Sequence, residues 1–282
     1  MPDVSVVVLT MGDRPTELAA AIASAKKQSG VDVEVVLVVN GGKPDVSDAD
    51  IVLDPGGNLG IPGGRNLGAE NSTAELICFL DDDGQLEPGA LLGACHRFAT
   101  EPDLSALGFR IIDETGSTAR RHIPGLRKDA TRSRDATSFP GGGVVVRSAA
   151  FRAVGGLCGA FTYGLEETDL AWRLIDHGGR IAYDANLVMF HPRTTPSRHA
   201  DFERITARNR VWLARRQLPI SLGVPYIINW LIVGLVRGRD ISTLRHVLGG
   251  TLAGIRSPIE GRRRMRWRTV LRLTQLGRPP VI

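Results

Sequence analysis

The stretch "ELICFLDDDGQLEPG", residues 75–89, is an apolar run that stops at three adjacent carboxylates. Leu76 to Leu80 read as a strand with both faces buried, because no polar residue alternates with the apolar ones. Asp81, Asp82 and Asp83 then stand at its carboxyl end. Neighbouring negative charges repel one another, and each becomes costlier to keep ionised as water is withdrawn. Either a solvated turn at Asp83-Gly84 accommodates them, or a cation does. Side chains alternate along an extended strand end, so Asp81 and Asp83 share one side and Asp82 faces the other. That spacing lets two carboxylates share one hard divalent ion.

Outward from this strand the pattern repeats. "VSVVVLT" (4–10), "VEVVLVVN" (33–40) and "DIVLDPG" (50–56) are further β-branched runs. "PTELAAAIASAKKQ" (15–28) is helical, and "GGRNLGAENS" (63–72) opens a helix after a glycine-rich loop. Strands that alternate with helices and are apolar almost throughout predict an α/β fold. The expected sheet is mainly parallel, Rossmann-like and flanked by helices. Ligands of such sheets bind beyond the carboxyl ends of the strands, where the aspartates stand. Further on, "GGGVVVRSAAF" (141–151) is a glycine turn, a strand and a helix, and "RIAYDANLVMFHP" (180–192) is another strand. Residues 116–137 are polar and non-periodic, which predicts a mobile loop.

Three more features bear on chemistry. The loop "NLGIPGGRNLG" (58–68) lacks GxGxxG spacing, and the chain has no P-loop. Its glycines fit plain turns as well as ligand contact, and Arg65 fits an exposed surface position as well as one near phosphates. "YGLEETDLAWRL" (163–174) gathers Glu166, Glu167 and Asp169 at a helix start, where acids meet the helix dipole. Mutual repulsion there can also raise one carboxyl into the range of a general base. His191 follows an apolar strand and is a candidate metal ligand or a structural histidine.

The chain has 282 residues, 43% hydrophobic and 23% charged, enough for one large domain or two small ones. Its three cysteines form no CxxC pair, so no disulfide framework is expected. Cys78 inside the strand reads as a small buried hydrophobe. "MPDVSVVVLT" has no basic stretch ahead of its apolar residues, so no leader is expected, and a cytoplasmic location is. The net charge of +5 is unevenly spread: from Arg237 onward there are eleven Arg, no Lys and two acids. Before this tail, "LPISLGVPYIINWLIVGLV" (218–236) is uncharged and long enough to span a bilayer, but a span would drag the arginines across. A helix lying in the interface of an anionic membrane is the expectation, with a buried helix or a dimer contact as the alternative. Trp267 alone interleaves the tail's arginines with an aromatic ring, so no nucleic-acid partner is expected.

Taken in order, the second-strand loop, "NLGIPGGRNLG", "FLDDD", the "GGG" turn, "YGLEETDLAWRL" and the strand-end His191 carry a resemblance. They resemble the inverting family-2 glycosyltransferases of the GT-A fold, notably the bacterial rhamnosyl- and galactofuranosyltransferase-like members. The resemblance spans about residues 4–213 and includes "RNR", Arg208-Asn209-Arg210. It implies a GT-A catalytic domain over 1–215, while the apolar stretch and its basic tail predict a helical, Arg-rich, membrane-associating region over 216–282. It implies Mn2+ or Mg2+ on Asp81, Asp83 and His191, and a catalytic base at Glu167, with Glu166 beside it. It implies donor contacts at Thr10, Arg14, Asn40, Gly64, Arg65, Asp81 and Asp82. The expected reaction moves a sugar from a UDP- or dTDP-sugar to a hydroxyl of a glycan or lipid-linked acceptor. The expected place is the inner face of the plasma membrane, and a homo-oligomer is left open. The chain departs from the family at Val39-Asn40-Gly41-Gly42, where Asp usually precedes Asn-Gly, and at Glu166-Glu167, where Glu-Asp is usual. A metal-dependent sugar nucleotidyltransferase and a non-catalytic membrane-binding module are the alternatives.

Overall fold

The apolar runs of the first eighty residues become the parallel half of one sheet. A computed structural model describes residues 1–44, 48–125, 129–193, 201–238, 240–259 and 261–281. The chain runs β1 (Val4–Thr10), α1 (Pro15–Lys26), β2 (Val33–Val39), β3 (Ile51–Leu53), α2 (Gly60–Glu70) and β4 (Leu76–Asp81). It continues through β5 (Gln85–Leu86), α3 (Ala90–Thr100), β6 (Leu104–Ile112), β7 (Arg134–Asp135), β8 (Gly143–Arg147) and α4 (Ser148–Ala153). Then follow α5 (Glu166–His177), β9 (Arg180–Phe190), α6 (Phe202–Gln217), α7 (Ile220–Arg237), α8 (Ile241–Arg256) and α9 (Trp267–Gln275).

The sheet order is β3-β2-β1-β4-β8-β6-β9-β5, with β7 on β9. Strands β1 to β4 are parallel, as their uninterrupted apolar runs predict. Beyond β4 the sheet is mixed. β8 runs antiparallel to both β4 and β6, β6 pairs parallel with β9, and β5 and β7 lie antiparallel on β9. One core layer, with Val6, Leu18, Ile22, Cys78 and Leu91, lies under α1 and α3. The other, with Val7, Phe79, Phe151, Leu170 and Trp212, lies under α2, α5 and α6.

Helix α2 starts at Gly60, so the glycines expected in a loop lie inside the helix. A glycine in a helix costs about 0.5–1 kcal/mol relative to alanine. Here close approach requires it: a Cβ on Gly64 would overlap Leu9, and one on Gly68 would overlap Val7. The loop expected over 116–137 is tied down where it is described. It holds a short 3-10 turn at Arg120–His122 and strand β7, and Ala130 accepts a hydrogen bond from Tyr183 at 2.7 Å. Residues 126–128 of that loop, and Arg239 and Glu260 of the tail, lie outside the described residues.

The boundary expected between 215 and 216 falls inside α6. Helix α7 is the one helix among the described residues long and apolar enough to cross a membrane by length and composition. It buries Gly223 and Tyr226, while Ile220, Val224, Ile228, Ile232 and Val236 are exposed. The alternative of a buried helix is therefore overturned. Helix α8 turns Val247, Gly250, Thr251 and Gly254 inward, with Gly250 and Gly254 against α6, and exposes Ile241, Leu248, Leu252 and Ile255.

Candidate active site

Parallel register brings three strand ends to one edge. Thr10 of β1 pairs with Val39 of β2, and Leu9 pairs with Asp81 of β4, so Thr10, Asn40 and the aspartates converge. The Thr10 hydroxyl donates to Asp82 at 2.7 Å. Arg14, just before α1, donates to Asp82 at 3.3 Å and pairs with Asp83. Burial pushes the Asp82 carboxyl up to about 6, against the Thr10 hydrogen bond and the Arg14 charge. Asn40 is buried and clamps the entry to α2: its amide donates to Asn58 at 3.0 Å and accepts from the Leu59 N–H at 2.8 Å.

On the other side of the aspartate triplet, His191 stands just past β9. Its Nε2 lies 3.1 Å from Asp83 and 3.8 Å from Asp81. Asp81, Asp83 and His191 each offer a ligand atom, all within 4.8 Å of one another. Asp82 points away from them, toward Thr10 and Arg14. His191 Nδ1 lies 2.7 Å from the Pro192 carbonyl, which assigns a proton to that nitrogen and turns Nε2 toward the carboxylates. Burial lowers the proton affinity of His191, but the Asp83 hydrogen bond and the two carboxylate charges outweigh it and raise the net value. Two hard oxygen donors and one imidazole fit Mn2+ well and Mg2+ less well.

Arg65 is 4% exposed, which overturns a surface role. Its guanidinium donates to Asp81 at 2.7 Å and lies 3.9 Å from Glu166, so it links the aspartates to the acidic pair. The glycine turn before β8 makes room for this link, because a Cβ on Gly142 would overlap the Asp81 carboxylate. Glu166 is buried, and its Oε2 has no hydrogen-bond partner. Glu167 is half-buried and lines a cleft of about 340 Å³, whose wall also includes Asp81, His191, His122, Arg121 and Arg278. That volume lies within the range of small-molecule sites. Burial, and after it the charge of Glu166, hold the Glu167 carboxyl well above the usual carboxylate range.

The acidic pair sits on a strained turn. Leu165, directly before α5, has φ 71°, and Thr162 has φ 53°, both costly for residues with a Cβ. Asn209 of the "RNR" triplet holds this turn. It is fully buried, and its amide donates to the carbonyls of Phe161 at 3.0 Å, Tyr163 at 2.9 Å and Gly164 at 2.8 Å. Asp169 anchors the same helix to α6, accepting from Arg216 at 3.0 Å and Gln217 at 2.8 Å, while Arg173 donates to it at 2.9 Å.

His122, Arg121 and Arg278 have no motif in the sequence that marks them, and "RNR" singles out Asn209 without showing what its amide holds. His122 stacks edge-on to His191 with ring centroids 6.4 Å apart. Burial, then the charges of Arg121 and His191, push its imidazole down to about 4, so it is neutral near pH 7.

With this geometry in view, similarity to known proteins can be read. Glycosyl transferase family 2 matches residues 5–155. The chain is 27% identical over 203 residues to the pre-mycofactocin glycosyltransferase of Mycobacterium tuberculosis, covering 66% of this chain and 43% of that protein. It is 29% identical over 146 residues to the GalNAc(5)-diNAcBac-PP-undecaprenol beta-1,3-glucosyltransferase of Campylobacter jejuni, covering 48% of this chain and 47% of that one. The chain thus spans less than half the length of these curated relatives. In fold it is similar to S. aureus TarS 1-349 in complex with UDP-GlcNAc, with TM-score 0.63, 13% identity, and 95% of this chain on 83% of that one. GalNAc-T7 with UDP, GalNAc and Mn2+ superposes with TM-score 0.63 and 13% identity, over 90% of this chain and 56% of that one. With over half of its length matched, its α/β architecture of the GT-A kind, and its acidic cluster at the carboxyl ends of the strands, the chain belongs to glycosyl transferase family 2.

Proposed function

We propose that this chain transfers a sugar from a nucleotide-diphosphate donor, UDP- or dTDP-linked, to a hydroxyl of a lipid-linked or surface-glycan acceptor, with inversion at the sugar. The observation that carries the reading is the Asp81–Asp83–His191 cluster, whose Asp81 and His191 line one cleft with a carboxylate of raised proton affinity, Glu167. Asp81, Asp83 and His191 would hold Mn2+ or Mg2+, and the bound cation supplies charge stabilisation for the departing nucleotide diphosphate. Thr10 and Arg14 hold Asp82, the carboxylate that faces away from this cluster. Arg65 balances Asp81 and Glu166 without leaving the core. Glu167 takes the proton of the acceptor hydroxyl, and a single base opposite the leaving group gives in-line displacement and inversion. Glu166 keeps Glu167 basic by charge repulsion.

The same reading puts the chain peripherally on the inner face of the plasma membrane. Its support is the exposed apolar residues of α7 and α8, beside exposed Arg237, Arg245, Arg256, Arg262, Arg263 and Arg264. An apolar face bordered by arginines suits anionic lipid better than a second copy of the same cationic face.

The direct test is calorimetric titration with UDP and dTDP, with and without Mn2+, followed by a screen of donor sugars for metal-dependent hydrolysis. Binding strengthened by Mn2+ and lost in Asp81→Asn is expected. Nucleotide binding indifferent to the metal would overturn the metal-dependent mechanism.

A further inference from the structure

The cleft has a feature that the donor chemistry leaves unused. Arg278, from the C-terminal segment, lines the cleft that holds Asp81, His191 and Glu167. It is half-buried, and no carboxylate lies within ion-pair distance of it among the described residues. Its surroundings are themselves cationic and aromatic. Arg210, stacked over the Trp230 ring at 3.2 Å and donating to the Tyr226 hydroxyl at 3.4 Å, feels its positive charge, and so does Tyr226. A partly desolvated guanidinium among like charges is unfavourable unless an anion completes it.

Arg278 is also held firmly. Just past the end of helix α9, Gly277, with φ 79°, donates its N–H to the Thr274 carbonyl at 2.9 Å, and the Arg278 N–H donates to the Leu273 carbonyl at 3.0 Å. Two prolines follow, and the Val281 carbonyl accepts from the Asn229 amide of α7 at 3.1 Å. Helix α9 is itself fastened to α5, because Asp176 accepts from Thr269 at 2.5 Å and from the Arg266 N–H at 2.8 Å. The arginine is therefore fixed to the helix that carries Glu167, the group that would take the acceptor's proton. At the other end of the cleft Arg14 and Arg65 are already engaged by Asp81, Asp82, Asp83 and Glu166.

We propose that Arg278, with Arg121 on the wall of the same cleft, receives a phosphate of the acceptor, and that the acceptor is a lipid phosphate or diphosphate rather than a neutral glycan. This rests on the glycosyltransferase reading of the cleft. The lipid is argued from the neighbourhood: Asn229 of α7 binds the Val281 carbonyl just beyond Arg278, Tyr226 of the same helix feels the Arg278 charge, and the exposed face of α7 is apolar. A guanidinium beside an apolar helix matches an anionic head on a hydrocarbon chain.

The test is calorimetric titration of the full chain with farnesyl diphosphate, farnesol, inorganic pyrophosphate, and UDP with Mn2+. Farnesyl diphosphate should bind at least ~10-fold more tightly than farnesol or pyrophosphate, the worth of a charge-assisted hydrogen bond. Arg278→Gln should lose ~10-fold or more in farnesyl diphosphate affinity, much more than it loses for UDP with Mn2+. Arg278→Lys, which keeps the charge and guards against a folding defect, should recover part of it. Pyrophosphate bound as tightly as farnesyl diphosphate would overturn the lipid assignment. So would farnesol bound equally well. A loss for UDP as large as that for farnesyl diphosphate would move Arg278 to the donor and end the proposal. A wild-type chain that takes farnesyl diphosphate but not UDP separates the two readings: the donor mechanism fails and the acceptor anion site stands.

Discussion

Glu167 and Glu166 are adjacent carboxylates with opposite environments. Glu166 is buried against Arg65, while Glu167 opens into the cleft with its proton affinity raised by burial and by its neighbour. A base must be ionised to accept a proton, so kcat/KM should rise with pH through the elevated Glu167 value. Glu166→Gln removes the neighbouring charge that helps to elevate it, and the acidic limb of the profile should move to lower pH. A limb that stays in place would contradict the pairing. Glu167→Gln keeps the shape and removes basicity, so nucleotide binding should survive while transfer falls by ~10²–10⁴-fold. Normal transfer by both variants would falsify the inverting mechanism. At the metal end, His191→Ala should weaken apparent Mn2+ affinity by ~10-fold or more, read from a metal titration of donor hydrolysis. Asp83 is buried between Arg14 and His191, so Asp83→Asn is a better probe than alanine. It should abolish metal-dependent hydrolysis with a near-normal thermal melt.

At the scale of elements, the turn before α5 and helix α6 work as one unit. The turn carries left-handed backbone at Leu165, and the buried Asn209 amide satisfies three of its carbonyls. Asn209→Ala orphans them, at roughly 1–3 kcal/mol for each buried group left unpaired. Denaturant unfolding should show a clear loss of stability. Transfer should fall further than donor binding, because the displaced turn carries Glu167 and not the aspartates. Equal losses in both would reduce Asn209 to a general fold support. Much of this unit was legible: "EETDLAWRL" announces an amphipathic helix with an acidic first turn, and "RNR" marks a second. The contact between them was not, because a buried amide reaching across 46 residues leaves no periodicity in either segment. The same holds for the mixed half of the sheet. Strands β6, β8 and β9 are apolar whichever way they run, so their composition is silent on direction.

For the whole molecule, the charge asymmetry becomes a surface. Helices α7 and α8 pack together at Gly234 and Val247, both expose apolar residues, and exposed arginines follow from Arg237 through Arg272. Each arginine near anionic lipid contributes on the order of 1 kcal/mol, and salt screens it. In flotation assays the chain should rise with anionic vesicles and much less with neutral ones, and added salt should release it. Ile228→Glu with Ile232→Glu, on the exposed stripe, should abolish flotation without changing nucleotide binding in solution. Equal recovery with both vesicle types, or with neither, would end the membrane assignment.

Sequence alone determined the parallel half of the sheet, because strands buried on both faces must be apolar throughout and stop where the chain returns to solvent. It showed three carboxylates at that stop, and a histidine and an acidic pair further on, the groups for which a metal site and a base are proposed. It also determined the tail's charge. Tertiary structure decided which of these groups meet. Asp81 and Asp83 reach His191 across 108 residues of chain or more, Arg65 is drawn into the core between Asp81 and Glu166, and Arg278 arrives at the cleft from the far end. The reason is that residue type and local periodicity are written along the chain. A buried ion pair or a shared cleft is instead a distance between segments, and only the packing of helices on the sheet sets it.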